Sequence, residues 1–114
     1  RIFQNLPPIV FGDGEQSRDF TFVRDAAVAN ILAAESKATG IFNIGRSEQV
    51  TVNHLAQLII KLVGNNAIVP VHEAPRVGDV VHSLADISRA RSFGYQPKYS
   101  LEEGLKEVIK YLKG

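Results

Sequence analysis

The stretch IVFGDGEQSRDFTFVRDAAVANILAAE, residues 9–35, changes character three times. Ile9, Val10 and Phe11 form an apolar triplet that fits a brief strand, and Gly12-Asp13-Gly14 breaks it with two residues tolerant of positive φ around an aspartate suited to a tight turn. Residues 19–23 then place Phe20 and Phe22 on one side and Thr21 and Val23 on the other, the period of a second strand. From Asp25, positioned to N-cap, an alanine-rich run with Val28, Ile31 and Leu32 predicts a helix to about Ser36, closed by Gly40. Strand, turn, strand and helix in that order predict an α/β or α+β fold.

Working outward, Ile2, Phe3 and Leu6 fit the inner stripe of a helix tail stopped by Pro7-Pro8. Downstream, residues 41–44 predict a short buried strand, and Gly45 a turn. Thr51 is placed to cap a helix whose Leu55, Leu58, Ile59 and Leu62 share a face, ended by Gly64-Asn65-Asn66. Residues 68–71 read as an edge strand interrupted by Pro70. Residues 73–81 have no period and predict a loop, and Asp86 caps a short helix to about Phe93. In the last helix, Ser100 and Glu103 have capping-box spacing, and Leu101, Leu105, Val108, Ile109 and Leu112 form one stripe.

The chain has 114 residues, 13 basic and 12 acidic side chains, a net charge of +1 and 45% hydrophobic content. These values predict a single domain, residues 1–114, with enough surface to bury for a core of its own. With no cysteine, disulfides, thiolate chemistry and cysteine-based zinc sites are excluded. There is no methionine either and the chain opens on Arg1, so we expect a processed, truncated or partial protein. Charge is spread evenly and no apolar run approaches 18 residues, so neither a nucleic-acid nor a membrane partner is expected.

No self-sufficient catalytic motif is present. His54, His72 and His82 lack metal-ligand spacing, and Gly12-Asp13-Gly14 is followed by a strand rather than the helix of a dinucleotide-binding turn. The unusual residues are arginines. Arg18 begins a strand beside core candidates Phe20 and Phe22, where a guanidinium needs a carboxylate, Asp19 or Asp25, or an anionic ligand. Arg76, in Pro75-Arg76-Val77-Gly78-Asp79, is either a solvated loop arginine or a second anion contact. Two arginines converging on one point would offer forked donors to a diphosphate, with Asp79 available to accept from sugar hydroxyls.

Three separated strings, VFGDGEQSRDFTFVRDAAVANILAAE, GIFNIGRSEQVTVNHLAQLI and APRVGDVVHSLADISRARSFGYQPKYSLEEGL, resemble in order and spacing the C-terminal half of nucleotide-sugar epimerases and dehydratases of the extended short-chain dehydrogenase/reductase family. The closest likeness is to UDP-glucose 4-epimerase-like proteins. The resemblance implies an α/β, C-terminal nucleotide-sugar-binding segment of an extended Rossmann-type fold. It assigns Arg18 and Arg76 to the nucleotide diphosphate, Asp79 to the ribose or the same phosphate network, Val10, Phe11 and Gly12 to the flanks of the nucleobase, and Gln16 to the side of that pocket. Asn43-Ile44-Gly45 and residues 23–25 carry structural roles in this likeness.

The sequence departs from the family pattern at Phe22, where tyrosine is frequent, and at Arg46-Ser47, where a Thr-Gly pair is commoner. The family's glycine-rich NAD-binding turn, its Tyr-x-x-x-Lys pair and its catalytic Ser or Thr belong to an N-terminal part and have no counterpart in these 114 residues, so no catalytic residue is assigned. The resemblance implies an NAD-dependent UDP-sugar 4-epimerase of the UDP-glucose/UDP-galactose type, acting in carbohydrate metabolism as a cytoplasmic homodimer, with NAD held mainly outside this chain. A dTDP-sugar 4,6-dehydratase, a UDP-glucuronate decarboxylase and a stand-alone nucleotide-sugar-binding module remain alternatives.

Overall fold

The computed structural model describes all residues, 1–114. Four short strands, β1 (Ile9–Phe11), β2 (Ser17–Arg18), β3 (Val50–Thr51) and β4 (Val71–Glu73), accompany three helices, α1 (Val23–Glu35), α2 (Val52–Val63) and α3 (Leu101–Lys113). Single 3-10 turns occupy Ile2–Gln4 and Ala90–Phe93. β1 and β4 pair in parallel, with Val10 opposite His72 and Phe11 opposite Glu73, while β2 and β3 pair antiparallel. An isolated parallel bridge joins Ser17 to His82.

The helices predicted from local signals form as expected at α2 and α3. Thr51 Oγ1 accepts from the His54 amide at 3.1 Å, and Gly64, at φ 86°, closes α2. At α3 the capping box is complete: Ser100 Oγ accepts from the Glu103 amide, and the Glu103 carboxylate accepts from the Ser100 amide. That amide, and then the Ser100 hydroxyl, hold the Glu103 carboxyl below its ordinary value.

Five expectations are corrected, most of them through non-local contacts. The second strand is not residues 19–23 but β2, ending at Arg18, because the chain opposite it turns away around Ser47, at φ 57°, and leaves Phe20 and Phe22 nothing to pair with. α1 therefore starts at Val23, with Phe22 in the N-cap position, and Asp25 lies inside its first turn. Residues 41–44 form no strand; Phe42 and Ile44 instead pack as side chains against the core. β4 begins at Val71 rather than 68, since pairing begins once Pro70, which has no N–H to donate, is passed; the Val71 amide then donates to Pro8 O at 3.0 Å. After Asp86, whose Oδ1 accepts from the Ser88 amide, the chain makes turns and only a 3-10 segment.

The main core cluster is Ala29, Ile87, Ala90 and Tyr95, with Leu32, Phe42, Ile44, Ala85 and Phe93 against it. Phe42 and Phe93 meet edge to face at 5.0 Å. The buried Tyr95 hydroxyl donates to Gly45 O at 2.7 Å; burial first, then the Asp25 and Asp19 carboxylates, push its pKa above 10.0 against the pull of Arg46. Asp25, 3% exposed, accepts from the Lys98 and Tyr99 amides at 3.0 and 3.1 Å, tying α1 to the approach of α3. Asp19 gathers the amides of Arg46 and Ser47 at 2.9 Å and, at 3.4 Å, that of Ala85.

The core is smaller than the chain length predicts. Only 13 of 114 residues are buried, and the molecule is a slab of 50 × 35 × 16 Å. Its radius of gyration, 16.4 Å, exceeds the roughly 13 Å of a compact domain of this length. No helix is long and apolar enough to cross a membrane.

Candidate functional site: a cleft between the Gly12–Gly14 turn and the 74–82 loop

The parallel pair β1–β4 ends by sending two segments out side by side. The Gly12 amide donates to Glu73 O at 2.9 Å, the last rung before the segments part. After β1 the chain turns through Gly12 and Gly14, at φ 80° and 78°, with Asp13 Oδ1 accepting from the Glu15 amide at 2.9 Å. After β4, residues 74–81 run as a loop and rejoin the body where the Ser17 amide donates to Val81 O at 2.8 Å and Ser17 Oγ meets His82 Nδ1 at 2.8 Å.

Between them lies an open cleft of about 500 Å³, lined on one side by Phe11, Gly12, Asp13, Glu15 and Gln16, and on the other by Glu73, Pro75, Arg76, Asp79, Val80, Val81 and His82. Arg76 is the arginine among them, and its guanidinium sits 4.2 Å from the centre of the Phe11 ring, bridging the two walls. Gln16 Nε2 donates to Phe11 O at 2.8 Å, fixing the end of β1. Arg18 reaches the cleft through Asp79: its Nη2 donates to Asp79 Oδ1 at 2.5 Å while Nη1 donates to Ser17 O at 2.7 Å.

Six of the seven residues singled out from the sequence thus meet at one place. Phe11, Gly12, Gln16, Arg76 and Asp79 line the cleft, and Arg18 is bonded to Asp79. Val10 does not reach it. Its side chain is buried beneath, 2% exposed, as alternation along β1 requires when Phe11 faces the cleft. The carboxylate partner of Arg18 is Asp79, not Asp19 or Asp25, because those two are taken up by backbone amides. Gly45 is structural as expected: a Cβ there would lie 2.5 Å from Asp19 Oδ2 and 2.6 Å from Ala85 Cβ.

Sequence reasoning missed Asp13, Glu15, Glu73, Pro75, Val80, Val81 and His82 as lining residues. Asp13 and Glu15 lie in a turn the sequence marked plainly, and Glu73 and His82 bound a loop it also marked. Only the parallel register of β1 and β4 shows that turn and loop face each other. The lining set holds four carboxylates, one guanidinium and one imidazole, with no serine or cysteine nucleophile.

Residues 1–108 match the GDP-mannose 4,6 dehydratase family. The chain belongs to that family. Its structure superposes on the UDP-glucose 4-epimerase of Thermotoga maritima, solved with UDP-glucose, with a TM-score of 0.94 and 40% identity over 99% of this chain and 37% of that one. The UDP-glucuronic acid 4-epimerase of Bacillus cereus, solved with UDP-glucuronic acid and NAD, gives a TM-score of 0.89 and 31% identity over 98% of this chain and 37% of that one. A curated relative, the UDP-glucuronate 4-epimerase of Thermodesulfobacterium geofontis, is 32% identical over 98% of this chain and 35% of its own length. The chain thus spans little more than a third of the length of these family members and matches the C-terminal part of extended short-chain dehydrogenase/reductase structures. The family comprises nucleotide-sugar epimerases and dehydratases that use NAD.

Proposed function

We propose that residues 1–114 are the nucleotide-sugar side of an NAD-dependent epimerase, holding the diphosphate of a UDP-sugar of the UDP-glucose/UDP-galactose type. The observation that carries this reading is the cross-cleft arrangement of Arg76 on Phe11 and Arg18 on Asp79. Arg76 keeps all five guanidinium N–H donors available over the aromatic face, and Arg18 keeps three beyond the two it spends on Ser17 O and Asp79. Two such forks match the oxygens of a diphosphate. Asp79 retains Oδ2 for a ribose hydroxyl, and the Gly12 turn lets a flat base approach backbone without a side chain between.

The chemistry that bound NAD supplies is removal of hydride from C4 of the sugar and its return to the opposite face. In this proposal residues 1–114 act as part of a larger enzyme, a cytoplasmic homodimer, and contribute positioning. Holding the diphosphate at a fixed point places the sugar ring for hydride transfer and leaves it free to rotate between the two transfers.

Arg18→Ala and Arg76→Ala should each weaken UDP-glucose binding to the intact enzyme by about 1.5–3 kcal/mol, the range for charged hydrogen bonds. Arg18→Ala should be the costlier, because it also leaves the Asp79 carboxylate unneutralised against the diphosphate. Titration calorimetry measures both, and unchanged affinity in the two variants would overturn the assignment. A panel of UDP- and dTDP-sugars assayed for turnover tests the base and the reaction; turnover confined to dTDP-sugars would refute the UDP assignment.

A further inference from the structure

Asn53, the second residue of α2, is outside the cleft lining but is bonded to the turn that forms one wall of it. Its Nδ2 donates to Asp13 O at 2.9 Å and to Glu15 Oε1 at 2.8 Å, its backbone amide donates to Gly14 O at 3.0 Å, and its Oδ1 lies 3.1 Å from His72 Nε2. This set fixes the orientation of the amide and the imidazole together. Two acceptors face Nδ2, so the atom facing His72 is the oxygen, and His72 Nε2 carries the hydrogen it donates. Space is equally committed: a Cβ on Gly14 would come within 1.9 Å of Asn53 Oδ1.

Glu15 is the member of this set with consequences for a ligand. It lines the same cleft as Arg76, and an unrestrained carboxylate there competes with a phosphate for that guanidinium. We propose that Asn53 is a positioning residue for nucleotide binding: by holding the Glu15 carboxylate on its side-chain amide, it leaves Arg76 to the diphosphate. This rests on the nucleotide reading of the cleft, and neither the capping of α2, which Thr51 supplies, nor the stacking of Arg76 on Phe11 requires it.

The test is titration calorimetry of the intact enzyme with UDP, comparing wild type, Asn53→Ala, Asn53→Ala combined with Glu15→Gln, Arg18→Ala and Arg76→Ala, with thermal unfolding of each. Asn53→Ala should raise the Kd for UDP roughly tenfold, the factor for about 1.4 kcal/mol. Adding Glu15→Gln should recover most of the loss, since the neutral amide no longer competes as an anion. A general loosening of the fold would lower the melting temperature and would not be relieved by changing that one charge. Wild-type affinity in Asn53→Ala alongside weakened binding in Arg76→Ala overturns this proposal and leaves the nucleotide site standing. A loss in Asn53→Ala that Glu15→Gln does not relieve also overturns it. Unchanged binding in Arg76→Ala and Arg18→Ala overturns the nucleotide site itself.

Discussion

Replacing Asp25 by alanine removes one carboxylate and strands two amides. The side chain is 3% exposed, and its two oxygens accept from Lys98 and Tyr99 at 3.0 and 3.1 Å, closing a connection between α1 and the residues that lead into the Ser100 cap. Hydrogen bonds to a charged group contribute about 1.5–3 kcal/mol each. Two such bonds give an expected cost of about 3–6 kcal/mol. Asp25→Asn keeps one acceptor oxygen but turns an NH2 toward the other amide, and should cost about 2 kcal/mol. Urea unfolding followed by far-ultraviolet circular dichroism gives both values by linear extrapolation. A loss within about 0.5 kcal/mol for the alanine variant, no more than an ordinary surface substitution, would refute the view that this carboxylate joins the helices.

Tyr95→Phe should cost about 1 kcal/mol, as it leaves Gly45 O without its donor. Since the folded phenol titrates above 10.0, its stabilisation is complete below pH 10 and is lost as pH rises through the raised value; the phenylalanine variant should flatten that alkaline limb of the urea midpoint. Ser100→Ala should cost about 1 kcal/mol by opening the α3 cap. The Glu103 carboxyl, held below 4.5, stabilises the fold above that pH and loses its effect as pH falls through the lowered value; Glu103→Gln should remove this part of the acid limb, measured as helicity against pH.

What could be read from the sequence follows the range of each interaction. The Ser100–Glu103 box and the Thr51 and Gly64 ends of α2 are set within four residues, and each stands where its local signal puts it. Residues 19–23 alternate like a strand, but whether they become one depends on a partner segment that Ser47 turns aside. Asp25 has the composition of a cap and serves amides 73 and 74 residues away. At the cleft, Arg18 and Arg76 stood out because a guanidinium in such surroundings demands a partner. That Asp79, 61 residues from Arg18, is the partner follows only from the parallel register that brings the 74–82 loop back to β2. The Val10 side chain lies on the face opposite Phe11, because alternation in a three-residue strand sends neighbours to opposite faces.

The cluster of Ala29, Ile87, Ala90 and Tyr95, with everything packed against it, shares no residue with the cleft. That cluster is therefore held apart from the side chains of the cleft wall. Exchanges at Glu15, Gln16, Val80 or Val81 alter the cleft wall while leaving that cluster intact, so the wall can vary over generations with little loss of its packing. Relatives of 40% and 31% identity, solved with UDP-glucose in one case and UDP-glucuronic acid in the other, keep the same fold around different ligands of their own.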